Sequence, residues 1–329
     1  MKEAPNFFIG RTEIVAANSK LTDKARESLY VSKADNTIDA YRSDWNDFCA
    51  WCDYHKVESF PPLPETIVNY INDLADNARA NTVARRISAL TENFDAAGLT
   101  ENPCRYPIVK NALRGIKRMK GTMQHGKLPI LFDDIREMLT YLEGTELQQY
   151  RDKAILLLGF YGAMRRSEIA NLDVEDIQFT RLGMLITLRK SKTDQYDRGQ
   201  VIGIPVVKEK EVCAVQAVQN WLKASGIVSG PLFRGFTRSH GLRKNRISDK
   251  TIADIVKKYV ALVGMDPADY GAHSLRHGFA TSAAQHHVEE RQIMKQTRHK
   301  SQTIVRRYID EADRLIDNPV FKITEELTK

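Results

Sequence analysis

Three segments in the second half of the chain combine residue types suited to phosphoryl chemistry. Gly162-Ala163-Met164-Arg165-Arg166-Ser167-Glu168-Ile169 follows an apolar stretch and contains an Arg-x-x-Glu, while His273-Ser274-Leu275-Arg276-His277-Gly278 contains a His-x-x-Arg. His299 precedes Tyr308 by nine residues. A phosphodiester is anionic, and nucleophilic attack loads more charge onto its non-bridging oxygens. Two guanidiniums meet that demand, because their planar forks offer paired donors and stay charged at any relevant pH. A phenol, with a reference pKa near ~10, becomes a nucleophile only beside an acceptor in an electropositive pocket. Each segment alone is ordinary: a surface ion pair, a helix start, a packing tyrosine. Their combination points to chemistry.

In order, type and spacing these segments resemble the tyrosine recombinase (phage integrase) family, over residues 32 to 315 and in a two-domain layout similar to that of Cre recombinase, one of its members. The resemblance implies a site-specific DNA recombinase whose tyrosine forms a 3′-phosphotyrosyl intermediate, followed by strand exchange and religation without ATP. It implies Arg165 as the first catalytic arginine with Glu168 as its supporting acid, His273 and Arg276 as the second pair, His299 as a third phosphate-contacting group and Tyr308 as the nucleophile. Arg166 is the alternative to Arg165, and the Arg-x-x-Glu register favours Arg165. The family's lysine falls on Lys192 in Lys190-Ser191-Lys192-Thr193, with Lys190 as the alternative. Lys192 would protonate the departing 5′ oxygen, and His273 is the candidate acceptor of the Tyr308 proton. The implied partner is double-stranded DNA with inverted-repeat target sites, held by a homotetramer on two synapsed sites. No cofactor and no metal are implied, since arginines stand where cations would. Two other functions stay open: relaxation of DNA by a type IB topoisomerase-like enzyme, and a non-catalytic sequence-specific DNA-binding protein.

These residues need elements to position them. Ile38, Tyr41, Trp45, Phe48 and Cys52 recur at spacings of three and four after Asn36-Thr37, which predicts an amphipathic helix. A second opens at Pro64 with Ile67, Tyr70, Ile71 and Leu74 on one stripe, and a third runs from Asn81-Thr82 through Val83, Ile87, Leu90 and Phe94 to Gly98. Arg85 and Arg86 lie off that third stripe. In a fourth, Val109, Leu113 and Ile116 point inward and leave Lys110, Arg114 and Lys117 on another face. The stretch Lys120 to Pro129 has two glycines and a proline without apolar period, and marks a boundary. Beyond it, Ile135, Met138, Leu139 and Leu142 read as helix, and Ala154 to Phe160 as a buried central one. Gly183–Leu188 and Val201–Val206 read as two antiparallel strands, and helical patterns return over Glu211–Ser225 and Ser248–Val263. The expected fold is mainly α with a small antiparallel β-sheet, a two-domain DNA clamp. Its parts are an N-terminal arm (1–31), a helical core-binding domain (32–119), a linker (120–129), a catalytic domain (130–315) and a tail (316–329). The stretch after Tyr308 carries Leu315, Ile316, Val320, Phe321, Ile323 and Leu327, and the resemblance implies that it docks on a neighbouring protomer, as the family's C-terminal helix does.

Charge supports the partner. Net charge is +7 over 329 residues. Between Glu101 and Asp133 no acidic residue occurs, while Arg105, Lys110, Arg114, Lys117, Arg118, Lys120 and Lys127 do. Arg85, Arg86, Lys110, Arg114, Lys117, Arg118 and Lys120 are therefore the candidate DNA-binding residues, because neutralised phosphates release counterions. Three other patterns fail as chemistry. Gly121-x-x-x-x-Gly126-Lys127 has Leu128 where a P-loop needs Ser or Thr. Cys49-x-x-Cys52 lies within a predicted helix and lacks a second ligand pair for zinc, and His286-His287-Val288-Glu289-Glu290 has the wrong order for a zinc-protease helix. Four cysteines are too few for a disulfide scaffold, and neither a signal peptide nor a membrane span is apparent, so a cytoplasmic home is expected.

Overall fold

The structure, a computed structural model, describes Thr22 and residues 35–121, 126–189, 199–299, 301–303, 305, 306, 308 and 309. The chain divides into two compact units, residues 1–125 and 126–329. Most of the expected N-terminal arm, Lys190, Lys192 and the tail lie outside the described residues.

In the first unit four helices, α1 (Asp35–His55), α2 (Pro64–Asn77), α3 (Ala80–Ala96) and α4 (Pro107–Lys120), enclose one core. Trp45, Phe48 and Cys52 meet Ile67, Tyr70, Ile71, Val83, Ile87, Leu90, Phe94, Val109 and Ile116 there. The helical periodicity of three and four puts these side chains on facing stripes. Aromatic rings set the packing angles: Trp45 meets Phe94 edge-on at 5.6 Å and Phe48 meets Tyr70 at 5.1 Å. Pro64 opens α2, where its missing N–H costs nothing, and Gly98 reverses the chain after α3 at φ 75°. α1 begins at Asp35, so Asn36 and Thr37 sit inside its first turn rather than ahead of it. Cys52 is fully buried, and burial pushes its thiol up to about 12, which leaves it a core thiol.

The second unit is built around α6 (Leu147–Tyr161), where every residue from Ala154 to Phe160 is buried. Such a helix has no solvent face and must be surrounded. α5 (Phe132–Thr140), α8 (Ala214–Ser225), α9 (Asp249–Leu262) and α10 (Ala272–Gln285) contribute to the same core. After α6 come the short α7 (Arg166–Ala170) and a three-stranded antiparallel sheet of β1 (Ile177–Phe179), β2 (Gly183–Leu188) and β3 (Gln200–Pro205), in that order. Met184, Ile186 and Leu188 alternate inward opposite Ile202 and Ile204, the register running from Gly183↔Pro205 to Leu188↔Gln200.

Two features depart from the sequence-based expectation. β1 adds a third strand, and a second hairpin pairs β4 (Arg234–Phe236) with β5 (Leu242–Arg246). Leu-Arg-Lys-Asn-Arg has no apolar alternation, so its strand form rests on tertiary contacts instead. Arg151 lies 4.6 Å from the Phe236 ring centroid and donates to Arg234 O, while Arg246 donates to Ala170 O and Leu172 O and pairs with Asp173. The α8 helix also starts later than Glu211, at Ala214, after a single 3-10 turn over Lys210–Val212.

A strap from Lys127 to Ile130 crosses α10: Leu128 N donates to Asp269 O and Ile130 N to Ser274 O. Gly278 makes room for it, since a Cβ there would lie 1.6 Å from Ile130 O. Gly278→Ala must displace backbone, so we expect a loss of about 1–3 kcal/mol or more in urea unfolding of the intact protein; an unchanged midpoint would refute this tight crossing.

Candidate active site

The turn that ends α6 is the first element of the site. Ala163 takes a left-handed conformation, φ 43°, which reverses the chain between α6 and α7. Arg165 follows in extended backbone at the N-terminus of α7. Its backbone N–H donates to Glu168 Oε2 at 2.9 Å and its Nη1 to Glu168 Oε1 at 2.6 Å, so the carboxylate caps the helix and holds the guanidinium together. The neighbouring Arg166 instead pairs with Asp249 at 3.1 Å on the surface, with 56% of its side chain exposed. Of the two registers considered from sequence, Arg165 is the one directed at Glu168.

Arg276 comes from α10, among Ala272, Leu275 and Ala280, and is fully buried. Nη1 donates to Ala163 O at 2.7 Å; Nε and Nη2 have no acceptor among the described residues. Burial, then the charges of Arg165 and Arg298, pull its pKa down to about 9 despite Glu168 and Tyr308. Those causes place the two arginines, the carboxylate and the phenol around one guanidinium.

His299 stands after α11 (Glu290–Thr297). Burial, with help from Arg276, Arg165, His273 and Arg298, lowers its pKa to about 3, so the ring is neutral near pH 7. Thr297 donates its hydroxyl to Ile293 O at 2.7 Å, so toward His299 Nδ1, 2.9 Å away, it can only accept. The proton therefore sits on Nδ1, and Nε2 carries a lone pair. His273 lies in the first turn of α10, exposed.

Val305 and Tyr308, three apart on helical backbone, are buried in a small separate cluster with Ala280, Ala284 and Ile293. The Tyr308 ring lies 5.8 Å from that of His299 and 4.6 Å from that of His277, whose Nδ1–H donates to Lys127 O. Arg165, Glu168, His273, Arg276, His299 and Tyr308 thus gather in one region, while Lys192 lies outside the described residues.

Two neighbours of this region had no role assigned from sequence. His277 is legible as the residue after the His-x-x-Arg, and Arg298 as the one before His299; single positions beside a motif carry no signal of their own. The candidate DNA-binding residues divide. Lys110, Arg114, Arg118 and Lys120 are exposed and Lys117 partly so; Lys110, Arg114, Lys117 and Arg118 have no ion-pair partner among the described residues. Arg85, by contrast, pairs with Asp44, and Arg86 pairs with Asp47 and donates to Tyr70 Oη, both within the first unit. On the β4–β5 hairpin, Arg238, Arg243 and Lys244 are exposed cations that the sequence could have flagged, since no acidic residue occurs between Glu211 and Asp249.

Known proteins place the chain in a family. The profile of the phage integrase family matches residues 130–314. A Selenomonas ruminantium protein named integrase/recombinase xerD homolog is 48% identical over 320 residues, covering 97% of this chain and 94% of its own. The tyrosine recombinase XerC of Thermodesulfovibrio yellowstonii is 26% identical, covering 83% and 85%. Among solved structures, the XerH site-specific recombinase bound to a palindromic difH substrate shares the fold at TM-score 0.63 and 15% identity, covering 93% of this chain and 88% of its own. A lambda integrase dimer bound to a core site does so at 0.56 and 16%, covering 88% and 94%. The chain belongs to the phage integrase family and is a tyrosine site-specific recombinase.

The depressed His299 pKa sets a stability window. Below ~6.5 the unfolded chain binds a proton that folded His299 refuses until about 3, so this residue's contribution to stability falls as pH drops through that interval. His299→Asn should therefore lose less stability than the wild type between pH 7 and pH 4.5 in urea titrations; equal losses would show that His299 is not depressed.

Proposed function

We propose that Arg165, Arg276 and His299 hold the scissile phosphate of a DNA duplex while Tyr308 Oη attacks its phosphorus. The state of Arg276 carries this reading. A guanidinium fully buried among like charges is costly, and removing its counter-charges makes it more so. Its Nε and Nη2, the two donors along one edge of the fork, match two oxygens of a phosphate and find no acceptor among the described residues.

The proton and bond changes balance without a nucleotide. Tyr308 gives its proton to His273, the new O–P bond forms as the P–O5′ bond breaks, and the 5′ oxygen takes a proton from Lys192. The phosphotyrosyl ester keeps the energy of the phosphodiester, so a 5′-hydroxyl from another strand reverses the sequence. Phosphate also changes His299. Burial and then the nearby cations keep the ring neutral; added negative charge offsets the cations, favours the imidazolium and turns Nε2 from an acceptor into a donor.

Duplex DNA is the partner, and the cations that meet its phosphates are Lys110, Arg114, Lys117, Arg118 and Lys120 on α4, Arg85 on α3, and Arg238, Arg243 and Lys244 on the hairpin. Arg86 holds the first unit's own helices together. The palindromic substrate of XerH and the dimer in the lambda integrase complex support two protomers meeting on an inverted-repeat site, and two such sites make the tetramer. The helices described contain none long and apolar enough to cross a membrane, and the reaction is assigned to the cytoplasm.

Two experiments bear on this. With nicked duplexes of randomised sequence, Tyr308→Phe should bind normally but give no denaturation-resistant adduct, and Arg276→Lys should cleave about 10²–10³-fold more slowly than wild type; a wild-type adduct yield from Tyr308→Phe would exclude that phenol. Arg114→Ala and Arg243→Ala should each reduce the slope of log affinity against log salt by about 1, and unchanged slopes would remove those contacts.

A further inference from the structure

Arg298 closes α11 in the left-handed region, at φ 56° and ψ 36°, where a Cβ is unfavourable and glycine is the usual occupant. Its side chain is only 7% exposed and makes four hydrogen bonds. Nη1 donates to Gly162 O at 2.8 Å and Gln296 O at 3.2 Å, and Nη2 to Ala163 O at 3.1 Å and Glu168 Oε2 at 2.7 Å. Ala163 O is also the acceptor of Arg276 Nη1, and Glu168 is the partner of Arg165. One side chain thus touches the supports of both arginines assigned to the phosphate.

We propose that Arg298 is a positioning residue for strand cleavage, bracing Glu168 and the Gly162–Ala163 turn so that the Arg165 and Arg276 guanidiniums stay aligned on one phosphate. The inference rests on the phosphate-binding role given above to Arg165 and Arg276. Without Arg298, Glu168 Oε2 keeps the Arg165 N–H alone and Ala163 O keeps Arg276 alone. A lysine could reach one of these acceptors but lacks the fork that spans them. The fold has other anchors here. Gln296 Nε2 donates to Tyr161 O at 2.7 Å, and Ile293 and Thr297 are buried, so α11 remains seated when Arg298 is removed.

The test uses the full-length protein at saturating concentration on a nicked duplex recovered from Tyr308 adducts in the randomised pool, with adduct formation followed in a single turnover. Arg298→Gly, which fits the left-handed backbone, should form adduct about 10- to 100-fold more slowly, the loss an ångström-scale misplacement produces, while DNA affinity stays within about two-fold. Arg298→Lys should remain slow. Because the brace works through Glu168, Arg298→Gly combined with Glu168→Gln should lose less than the product of the two single losses. Circular dichroism reports folding, and Arg298→Asn replaces the glycine variant if that one is unfolded. Wild-type rates in both folded variants, full rescue by lysine, or multiplicative losses in the double variant would overturn the inference while leaving the phosphate site standing. If the wild type yields no adduct at all, the phosphate site itself is wrong and the inference falls with it.

Discussion

One carboxylate, Glu168, sits among the guanidiniums of Arg165, Arg276 and Arg298, and the organisation of the second unit follows from making that concentration of charge tolerable. Like charges about 4 Å apart repel by about 4 kcal/mol at an effective dielectric constant of ~20. The single carboxylate offsets part of this. Backbone carbonyls help: Gly162 O and Ala163 O, freed by the sharp end of α6, accept from Arg298 and Arg276, while Arg276 Nε and Nη2 keep no acceptor among the described residues. Neutral acceptors satisfy some of the donors without neutralising the charge. A second carboxylate would offset more of that charge.

The scaffold serves the same end. The buried apolar run from Ala154 to Phe160 fixes where the terminal turn of α6 falls, because a helix enclosed along that run cannot rotate or slide without disturbing the core. Small residues along α10 let it lie close to its neighbours, and Gly278 lets the strap at Ile130 cross it in contact with backbone. Arg276 is carried on that same helix two positions earlier and faces away from this crossing, toward Ala163.

Much of this was legible from residue order. The apolar stripes of α1 to α4, the buried run of α6 and the β2–β3 pairing follow from periodicity, which reports burial directly. The candidate residues that the structure gathers were legible because their motifs are local: Arg165 and Glu168 share one helical turn, and His273 and Arg276 another. What was not legible depends on distant partners. The β5 strand has a charged sequence and pairs with β4, which Arg151 contacts, while its own Arg246 reaches Ala170 O, Leu172 O and Asp173; Arg86 looked like a solvent-facing cation until Asp47 and Tyr70, from other helices, came to meet it. The tautomer of His299 rested on the hydroxyl of Thr297 already being spent on Ile293 O, a relation that no spacing encodes.

The phenol's surroundings differ from those of the arginines. Tyr308 belongs to a cluster of Ala280, Ala284, Ile293 and Val305, apart from the large core that fixes Arg276's neighbour Leu275. Ala283, Val288, Met294 and Ile309 pack around that cluster, and the rings of His277 and His299 flank the phenol. Ring and guanidiniums are therefore seated by different side chains, so a substitution beside Ile293 and one beside Leu275 disturb different halves of the region.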